Sequence, residues 1–247
     1  MSGGSSENLQ LGFPHRHYRR TDSTNDRAKE LAQSGAPSGL VVTAESQTAG
    51  RGRSGRSWFS TPGGSLLYSA LIRPLGERPL LPLAVPLAVC DAAEDLSAQQ
   101  CLVKWPNDVW IDERKLAGVL IEGRPDPDPT ESWAVIGVGL NLDLSAAEVP
   151  EELEGRVAWL GADIEPEVAS SRLSSAIEQW LGADDSTVLE EFRRRDLLKG
   201  RMLEWEGGSG RAIGIDDRGH LLVEIDGADT VTLGAGEVSL GSSLGGP

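Results

Sequence analysis

The segment KWPNDVWIDERKLAG at residues 104–118 predicts a hairpin, because two strand-like stretches flank a tight Asp-Glu-Arg turn. Pro106 fixes the backbone ahead of the first strand, so Asn107 and Asp108 are held at a strand end. Lys115 lies on the return strand, where a rigid backbone can direct its cation into a pocket. The segment therefore predicts a rigid hairpin that carries polar and charged candidates for a site.

Strands and helices alternate on both sides of this hairpin. Runs of β-branched and other apolar residues predict strands at 39–45, 65–74, 101–105 and 133–142. Capping residues and apolar periodicity predict helices at 24–35, 80–98, 165–182 and 186–198. After Lys199, short strands separated by Gly and Asp turns predict a β-barrel of about 45 residues. The pattern alone indicates an α/β or α+β protein with a small β-rich unit at its C-terminal end.

A glycine- and arginine-rich loop, GRGRSGRSW at 50–58, is a second candidate site. Its glycines match the GxGxxG spacing of a dinucleotide-binding turn, but the SWFSTPGG that follows cannot open the helix which such a turn requires. Glycines let the backbone approach a ligand, and the forked guanidinium groups of Arg51, Arg53 and Arg56 suit phosphate or carboxylate. A flexible solvated loop and an Arg/Gly segment that binds RNA are the alternatives.

The composition and charge of the chain limit the classes of function that it can have. The 247-residue chain has 23 Lys+Arg against 38 Asp+Glu, a net charge of −15, which disfavours general affinity for nucleic acid or membrane surfaces. Residues 14–60 nevertheless carry eight basic against four acidic residues, which favours a specific anionic small ligand. No apolar run reaches the roughly 18 residues that span a bilayer, and the N-terminus lacks a secretory pattern. Cys90 and Cys101 match no metal or redox spacing, and the three histidines are scattered. We expect a soluble cytoplasmic protein with no metal held by protein ligands alone.

Five motifs follow one another along the chain: STN (23–25), QTAGRGRSGRSW (47–58), KWPND (104–108), KLAG (115–118) and GVGLN (137–141). In this order they resemble the biotin protein ligases. The resemblance is dense over residues 18–145 and continues more weakly to about residue 240. Five ordered motifs make coincidence a poor explanation.

The resemblance implies a mixed, mostly antiparallel sheet with flanking helices, as in class II synthetases, followed by a small SH3-like β-barrel. It divides the chain into a flexible lead (1–13), a catalytic domain that binds biotin and ATP (14–198) and an SH3-like domain (199–247). Because 13 residues leave no room for an N-terminal helix-turn-helix, we expect the monofunctional type, which does not bind DNA.

The implied reaction has two steps. Biotin and ATP, with Mg²⁺ bound mostly by phosphate and water, give biotinyl-5′-AMP and pyrophosphate. A lysine of a biotin carboxyl carrier domain, from a biotin-dependent carboxylase, then takes the biotin. We expect no nucleic-acid or membrane partner, and either a monomer or a homodimer.

The resemblance also assigns residues to these steps. Lys115 and Arg53 are the expected catalytic cations, because both reactants of the first step are anions. The residues expected to bind biotin are Ser23, Thr24, Asn25, Gln47, Gly50, Arg51, Gly52, Arg53, Lys115 and Gly118. Those expected to bind the nucleotide are Arg53, Arg56, Trp58, Asn107, Asp108, Lys115 and Asn141. Short hydroxyl and amide side chains suit the ureido ring of biotin, which has one acceptor and two donors.

Two positions need a separate interpretation, and three rival functions fit parts of the sequence. Ser54 stands where many relatives carry a larger, often basic residue, and Lys104 is better explained as an ordinary surface lysine. The nearest rival is a lipoate or octanoate ligase, although the QTAGRGR and KWPND motifs favour biotin. An Arg/Gly-loop RNA binder and a catalytically silent biotin sensor are the others; Lys115 and the intact arginine loop argue against the sensor.

Overall fold

A computed structural model describes residues 9–124, 128, 130–145, 147–161, 164–225, 229–234, 236 and 238–240. Its helices are α1 (Thr24–Gln33), α2 (Leu81–Ser97), α3 (Pro166–Gly182) and α4 (Asp185–Arg195). Its strands are β1 (His15–Tyr18), β2 (Val41–Ala44), β3 (Ser65–Ile72), β4 (Leu102–Lys104), β5 (Asp108–Ile111), β6 (Arg114–Arg124), β7 (Trp133–Asn141), β8 (Met202–Trp205), β9 (Gly208–Ile215), β10 (Leu221–Ile225), β11 (Asp229–Leu233) and β12 (Val238–Leu240). The helices and strands predicted from the sequence are all present, with ends that shift by a few residues.

The first seven strands form one large sheet in the order β1-β2-β3-β7-β6-β5-β4. β1 and β2 run parallel, and every other neighbouring pair is antiparallel. The tight turn between β5 and β6 is formed by Asp112 and Glu113, whose φ angles of 48° and 60° are the left-handed values typical of two-residue hairpin turns. The predicted mixed, mostly antiparallel sheet is confirmed.

Helices pack on both faces of the large sheet. On one face, α2 lies against β4, β5 and β6 and also against α3 and α4, over a core that includes the fully buried Tyr68 and Ile136. On the other face, α1 packs on β2, β3 and β7 over a smaller core that includes Trp133 and Val135. The predicted burial of β7 on both faces, and the flanking helices, are therefore confirmed.

Glycines open space on the α1 face of the large sheet. Side chains alternate along a strand, so Gly137 and Gly139 follow Trp133 and Val135 on the same face of β7. Gly118 of β6 is the direct cross-strand partner of Gly139. These three glycines, Gly118, Gly137 and Gly139, form a glycine floor on this face, where other groups can approach the backbone closely.

The last five strands form a C-terminal antiparallel sheet in the order β11-β10-β9-β8-β12. It contacts the rest of the protein directly: the indole Nε1–H of Trp105 donates to the carbonyl of Gly219 at 3.0 Å. The β-rich unit predicted after Lys199 is confirmed, whereas β12 is a strand that the sequence did not predict. The domain boundary between residues 198 and 199 stays a prediction.

The start of the described chain differs from the predicted flexible lead. Leu11 is buried, and the N–H of Gly12 donates to the carbonyl of Gly39 at 2.9 Å, so these two residues are attached to the rest of the protein, whereas Phe13 is 70% exposed. Residues 1–8 lie outside the described part of the chain. Strand β1 had no signal in the sequence either, because His15 and its neighbours are exposed along an edge strand and show no apolar alternation.

The cysteines are as predicted. Cys90 and Cys101 are both free and buried, and burial raises the pKa of the Cys90 thiol well above its ordinary value. Within the described residues, no helix is long and apolar enough to cross a membrane.

Candidate active site

A cavity of about 690 Å³ lies over the glycine floor of the large sheet. It is bounded by the start of α1, the glycine-rich segment at 50–58, the β5–β6 hairpin and β12. The structure brings together nearly all the residues predicted for the site. Those that line the cavity are Ser23, Thr24, Asn25, Gln47, Arg51, Gly52, Arg53, Arg56, Trp58, Asn107, Asp108, Lys115, Gly118 and Asn141. Gly50 is outside the lining but accepts a hydrogen bond from the Trp58 N–H at 2.9 Å.

One end of the cavity is neutral and polar. Ser23, Thr24 and Asn25 sit at the start of α1, and each side chain is buried. The Gln47 side-chain oxygen accepts from the backbone N–H of Thr24 at 2.7 Å and from its hydroxyl at 3.1 Å. Ser69 of β3 donates to the Asn25 side-chain oxygen at 2.6 Å. These bonds fix short donors and acceptors without a net charge, as recognition of a neutral polar ring requires.

The glycine-rich segment folds back on itself beside this end. Arg51 and Ser57 form an antiparallel bridge, and the N–H of Gly52 donates to the carbonyl of Arg56 at 2.7 Å. At its tip, the Arg53 guanidinium donates to the Asn107 side-chain oxygen at 3.2 Å. The segment is thereby held against the β5–β6 hairpin instead of standing in solvent.

Trp58 lies directly on the glycine floor. A Cβ added to Gly118 would be 3.0 Å from the indole ring, and one added to Gly139 would overlap it. The indole N–H is buried without a hydrogen-bond partner among the described residues. Lys115 Nζ lies 5.6 Å from the centre of the same ring, within range of a cation–π contact. Trp58 is therefore an aromatic wall between the neutral end and the charged end.

The other end of the cavity is cationic. Lys115 Nζ forms an ion pair with Asp108 Oδ1 at 2.8 Å, and Arg53 and Arg56 line the cavity nearby. Burial lowers the pKa of the Arg53 guanidinium, although the Asp108 carboxylate opposes this. Preorganised cations in a partly buried site stabilise an anion more than they would in water.

The two asparagines predicted for the nucleotide side are anchored to the protein. Asn107 donates from its amide to the carbonyl of Val119 at 2.8 Å. Asn141 is buried and donates to the carbonyl of Ala158 at 2.9 Å. Both therefore hold neighbouring backbone in place at the cavity wall, and their contact with a nucleotide stays a prediction.

The structure places Lys104, interpreted from the sequence as an ordinary surface lysine, at the cavity. It lines the cavity, lies 5.6 Å from the centre of the Trp110 ring, and donates to the carbonyl of Val238 at 2.8 Å. Burial lowers its pKa, and repulsion from Lys115 and Arg56 adds to this, while Asp108 acts in the opposite direction. The only signal for this in the sequence was the position of Lys104 on a strand directly before Trp105 and Pro106. The sequence did not predict β12, the strand that covers Lys104.

Ser54 occupies the tip of the glycine-rich segment with φ of 53°, the left-handed region. Because its hydroxyl side chain is short and uncharged, it adds no cation to the loop over the cavity. For the biotinyl-5′-AMP that the sequence resemblance implies, we expect Ser54→Arg to slow release, since a guanidinium there would add an attraction to the phosphate. The dissociation rate of the preformed intermediate measures this, and a rate that does not fall would contradict it.

Two family models match the chain. The model of the biotin/lipoate A/B protein ligase family matches residues 17–141, just over half of the chain, and so defines the class of this protein. The model of the biotin protein ligase C terminal domain matches residues 208–241, a range that includes β9 to β12. The chain therefore belongs, within that class, to the biotin protein ligases.

Individual relatives agree with this assignment. A biotin–[acetyl-CoA-carboxylase] ligase of Mycobacterium tuberculosis is 35% identical over 236 residues, which cover 89% of this chain and 86% of the relative. The bifunctional ligase/repressor BirA of Bacillus subtilis is 32% identical over 232 residues, 82% of this chain; the match spans 66% of that relative, just under two thirds of its length. The solved biotin protein ligase of Aquifex aeolicus in complex with biotin and ATP has a TM-score of 0.74 at 28% identity, covering 92% of this chain and 97% of that one.

Proposed function

We propose that this protein activates biotin with ATP to biotinyl-5′-AMP and transfers the biotin to a lysine of a biotin carboxyl carrier domain. The observation that carries the proposal is a single cavity with a neutral polar end and a cationic end, joined across a floor of glycines. Biotin has the same division, with a neutral ureido ring at one end and a carboxylate at the other. The similar Aquifex aeolicus ligase was solved in complex with biotin and ATP, which supports both substrates.

In the first step, a biotin carboxylate oxygen attacks the α-phosphorus of ATP. A carbon–oxygen–phosphorus anhydride forms, the bond from the α-phosphorus to its bridging oxygen breaks, and pyrophosphate leaves. We assign Ser23, Thr24 and Gln47 to the ureido ring, which leaves the carboxylate directed along Trp58 toward Lys115. Lys115 and Arg53 reduce the repulsion between the two anions and stabilise charge on the phosphoryl oxygens.

Magnesium is proposed to enter with the triphosphate. Mg²⁺ keeps several waters and binds phosphate oxygens in such sites, and it supplies further charge neutralisation at the leaving pyrophosphate. Asp108 is a carboxylate at the same end of the cavity, but its oxygen is already paired with Lys115 at 2.8 Å. Its role in this proposal is to hold the Lys115 amine in place.

In the second step, the neutral amine of an acceptor lysine attacks the anhydride carbonyl, an amide bond forms, and AMP leaves. The Mycobacterium tuberculosis relative is a biotin–[acetyl-CoA-carboxylase] ligase, which points to a biotin-dependent carboxylase as the source of the acceptor. Cytoplasmic location, the absence of a nucleic-acid partner and the choice between monomer and homodimer stay predictions of the sequence.

The test is pyrophosphate release from ATP and Mg²⁺ with biotin, octanoate or lipoate as the acid. We expect turnover with biotin and only background with the other two, because the neutral end matches a ureido ring and not an alkyl chain or dithiolane. Turnover only with octanoate or lipoate would move the protein to the lipoate branch of the class. Biotin binding without turnover would instead leave a sensor.

A further inference from the structure

Glu122 lies on β6, on the same strand face as Gly118 and Leu120, just beyond the neutral end of the cavity. Its carboxylate accepts from three side chains. Asn25 Nδ2 donates to Oε2 at 2.9 Å, Arg51 Nη2 to Oε2 at 3.0 Å, and Lys29 Nζ to Oε1 at 2.8 Å. One carboxylate thus joins helix α1, the glycine-rich segment and the large sheet.

The Asn25 amide is oriented by these contacts. Its nitrogen donates to Glu122 and to the carbonyl of Leu120 at 3.1 Å, and its oxygen accepts from Ser69. Since both amide N–H groups and the oxygen are bound by protein, the side chain has one orientation. Asn25 lies between Thr24 of the neutral end and the floor at Gly137, so its orientation sets the shape of that end.

Arg51 is held by the same carboxylate. Its guanidinium contacts Glu122 and also Asp26 Oδ1 at 2.7 Å, while Lys29 Nζ lies 2.9 Å from Asp26. Two cations and two carboxylates therefore form a closed, neutral cluster at the base of the glycine-rich segment. Burial raises the pKa of Glu122, but hydrogen bonds from Lys29 and Asn25 outweigh it and leave the pKa lowered. The group that receives these bonds is a carboxylate at neutral pH.

We propose that Glu122 is a positioning residue for biotin: its carboxylate orients Asn25 and, through Arg51, fastens the base of the glycine-rich segment over the neutral end of the cavity. The proposal rests on the proposed function. It assigns to Arg51 an anchoring contact within the protein, in place of the direct contact with biotin that the resemblance implies. Loss of the carboxylate should weaken biotin binding more than it slows the chemical step, because the cationic end at Lys115 is untouched.

The experiment compares wild type, Glu122→Gln and a matched control, Glu30→Gln. Glu30 also forms an ion pair on α1, with Arg27 at 2.6 Å, but on a part of the helix that does not line the cavity. Three quantities are measured: the dissociation constant of biotin by calorimetry, the rate of trypsin cleavage after Arg53 and Arg56 without ligand, and kcat from turnover at saturating biotin.

We expect Glu122→Gln to raise the Kd of biotin about tenfold and to speed cleavage by a similar factor, the size expected for losing a charge-assisted hydrogen bond. kcat should stay within about twofold, and Glu30→Gln should match wild type. Should Glu122→Gln not fold, Arg51→Gln removes the same contact from the loop side and should speed cleavage without ligand by the same factor, a readout that a direct contact of Arg51 with biotin would not change.

The outcomes separate this proposal from the function on which it rests. A folded Glu122→Gln protein whose biotin Kd and cleavage rate equal those of wild type would overturn the positioning role alone. A fall of kcat by about tenfold with an unchanged biotin Kd would also overturn it, because Glu122 would then act on the chemical step and not on binding. Wild-type protein that binds no biotin would instead remove the proposed function.

Discussion

Lys115→Ala is expected to lower kcat/KM for biotin-dependent pyrophosphate release by about 10³-fold, while the protein stays folded. Removal of one preorganised group that stabilises transition-state charge costs roughly 10²–10³ in rate. Here a second effect adds to it. The Asp108 carboxylate, now paired with Lys115 at 2.8 Å, would face the cavity unpaired and repel both biotin carboxylate and phosphate.

A second variant distinguishes the two effects. In Lys115→Ala/Asp108→Ala the unpaired carboxylate is gone, so about tenfold of the lost activity should return, on the order of one charge contact. Lys199→Ala is the matched control, since Lys199 is exposed and lies outside the cavity lining. Activity of Lys115→Ala within about tenfold of wild type would exclude Lys115 as the main catalytic cation.

Gly137→Ala is expected to destabilise the protein and weaken biotin binding together. The new Cβ would overlap the Asn25 side chain, which cannot turn away because Ser69, Leu120 and Glu122 hold it. Overpacking of a buried site costs roughly 1–3 kcal/mol, and each kcal/mol lowers Tm by about 2–4 °C in a protein of this size. Displacement of Asn25 should also raise the Kd of biotin at least about tenfold.

Gly182→Ala serves as the control for this substitution. Gly182 ends α3, and an added Cβ there would meet no atom within 4 Å. Thermal melts and biotin titrations of the two variants should therefore diverge. If Gly137→Ala melted and bound biotin like Gly182→Ala, the close approach of Asn25 to β7 would have no consequence for the site.

The parts of the site that sequence could predict are those encoded by short segments. The β5–β6 turn follows from adjacent residues, and Lys115 is carried to the cavity by a hairpin of only fifteen residues, 104–118. The alternating glycines of IGVGLN, Gly137 and Gly139, likewise predict a strand face that another group approaches closely. They do not identify Trp58 as that group.

The parts that could not be predicted depend on contacts between distant residues. Glu122 meets Asn25 across 97 positions of the chain, and Arg53 meets Gly236 across 183. Neither pair has a local pattern, because an ion pair or a carbonyl contact leaves no periodicity in the sequence. Lys104 looked like a surface lysine for the same reason: the strand that buries it comes at the other end of the protein.

The contacts that β12 and the turn before it make with the cavity have a consequence for protein engineering. Lys104 donates to the carbonyl of Val238 at 2.8 Å, and Arg53 to that of Gly236 at 3.4 Å. Both acceptors are main-chain oxygens, which every amino acid possesses. At Lys104 and Arg53, two cations that line the cavity, the C-terminal unit is therefore held by its backbone. A substitution in this segment therefore keeps the two acceptors only if the backbone keeps its course, whereas other contacts of the C-terminal unit, such as the ion pair of Arg201 with Glu113 at 2.8 Å, depend on its side chains.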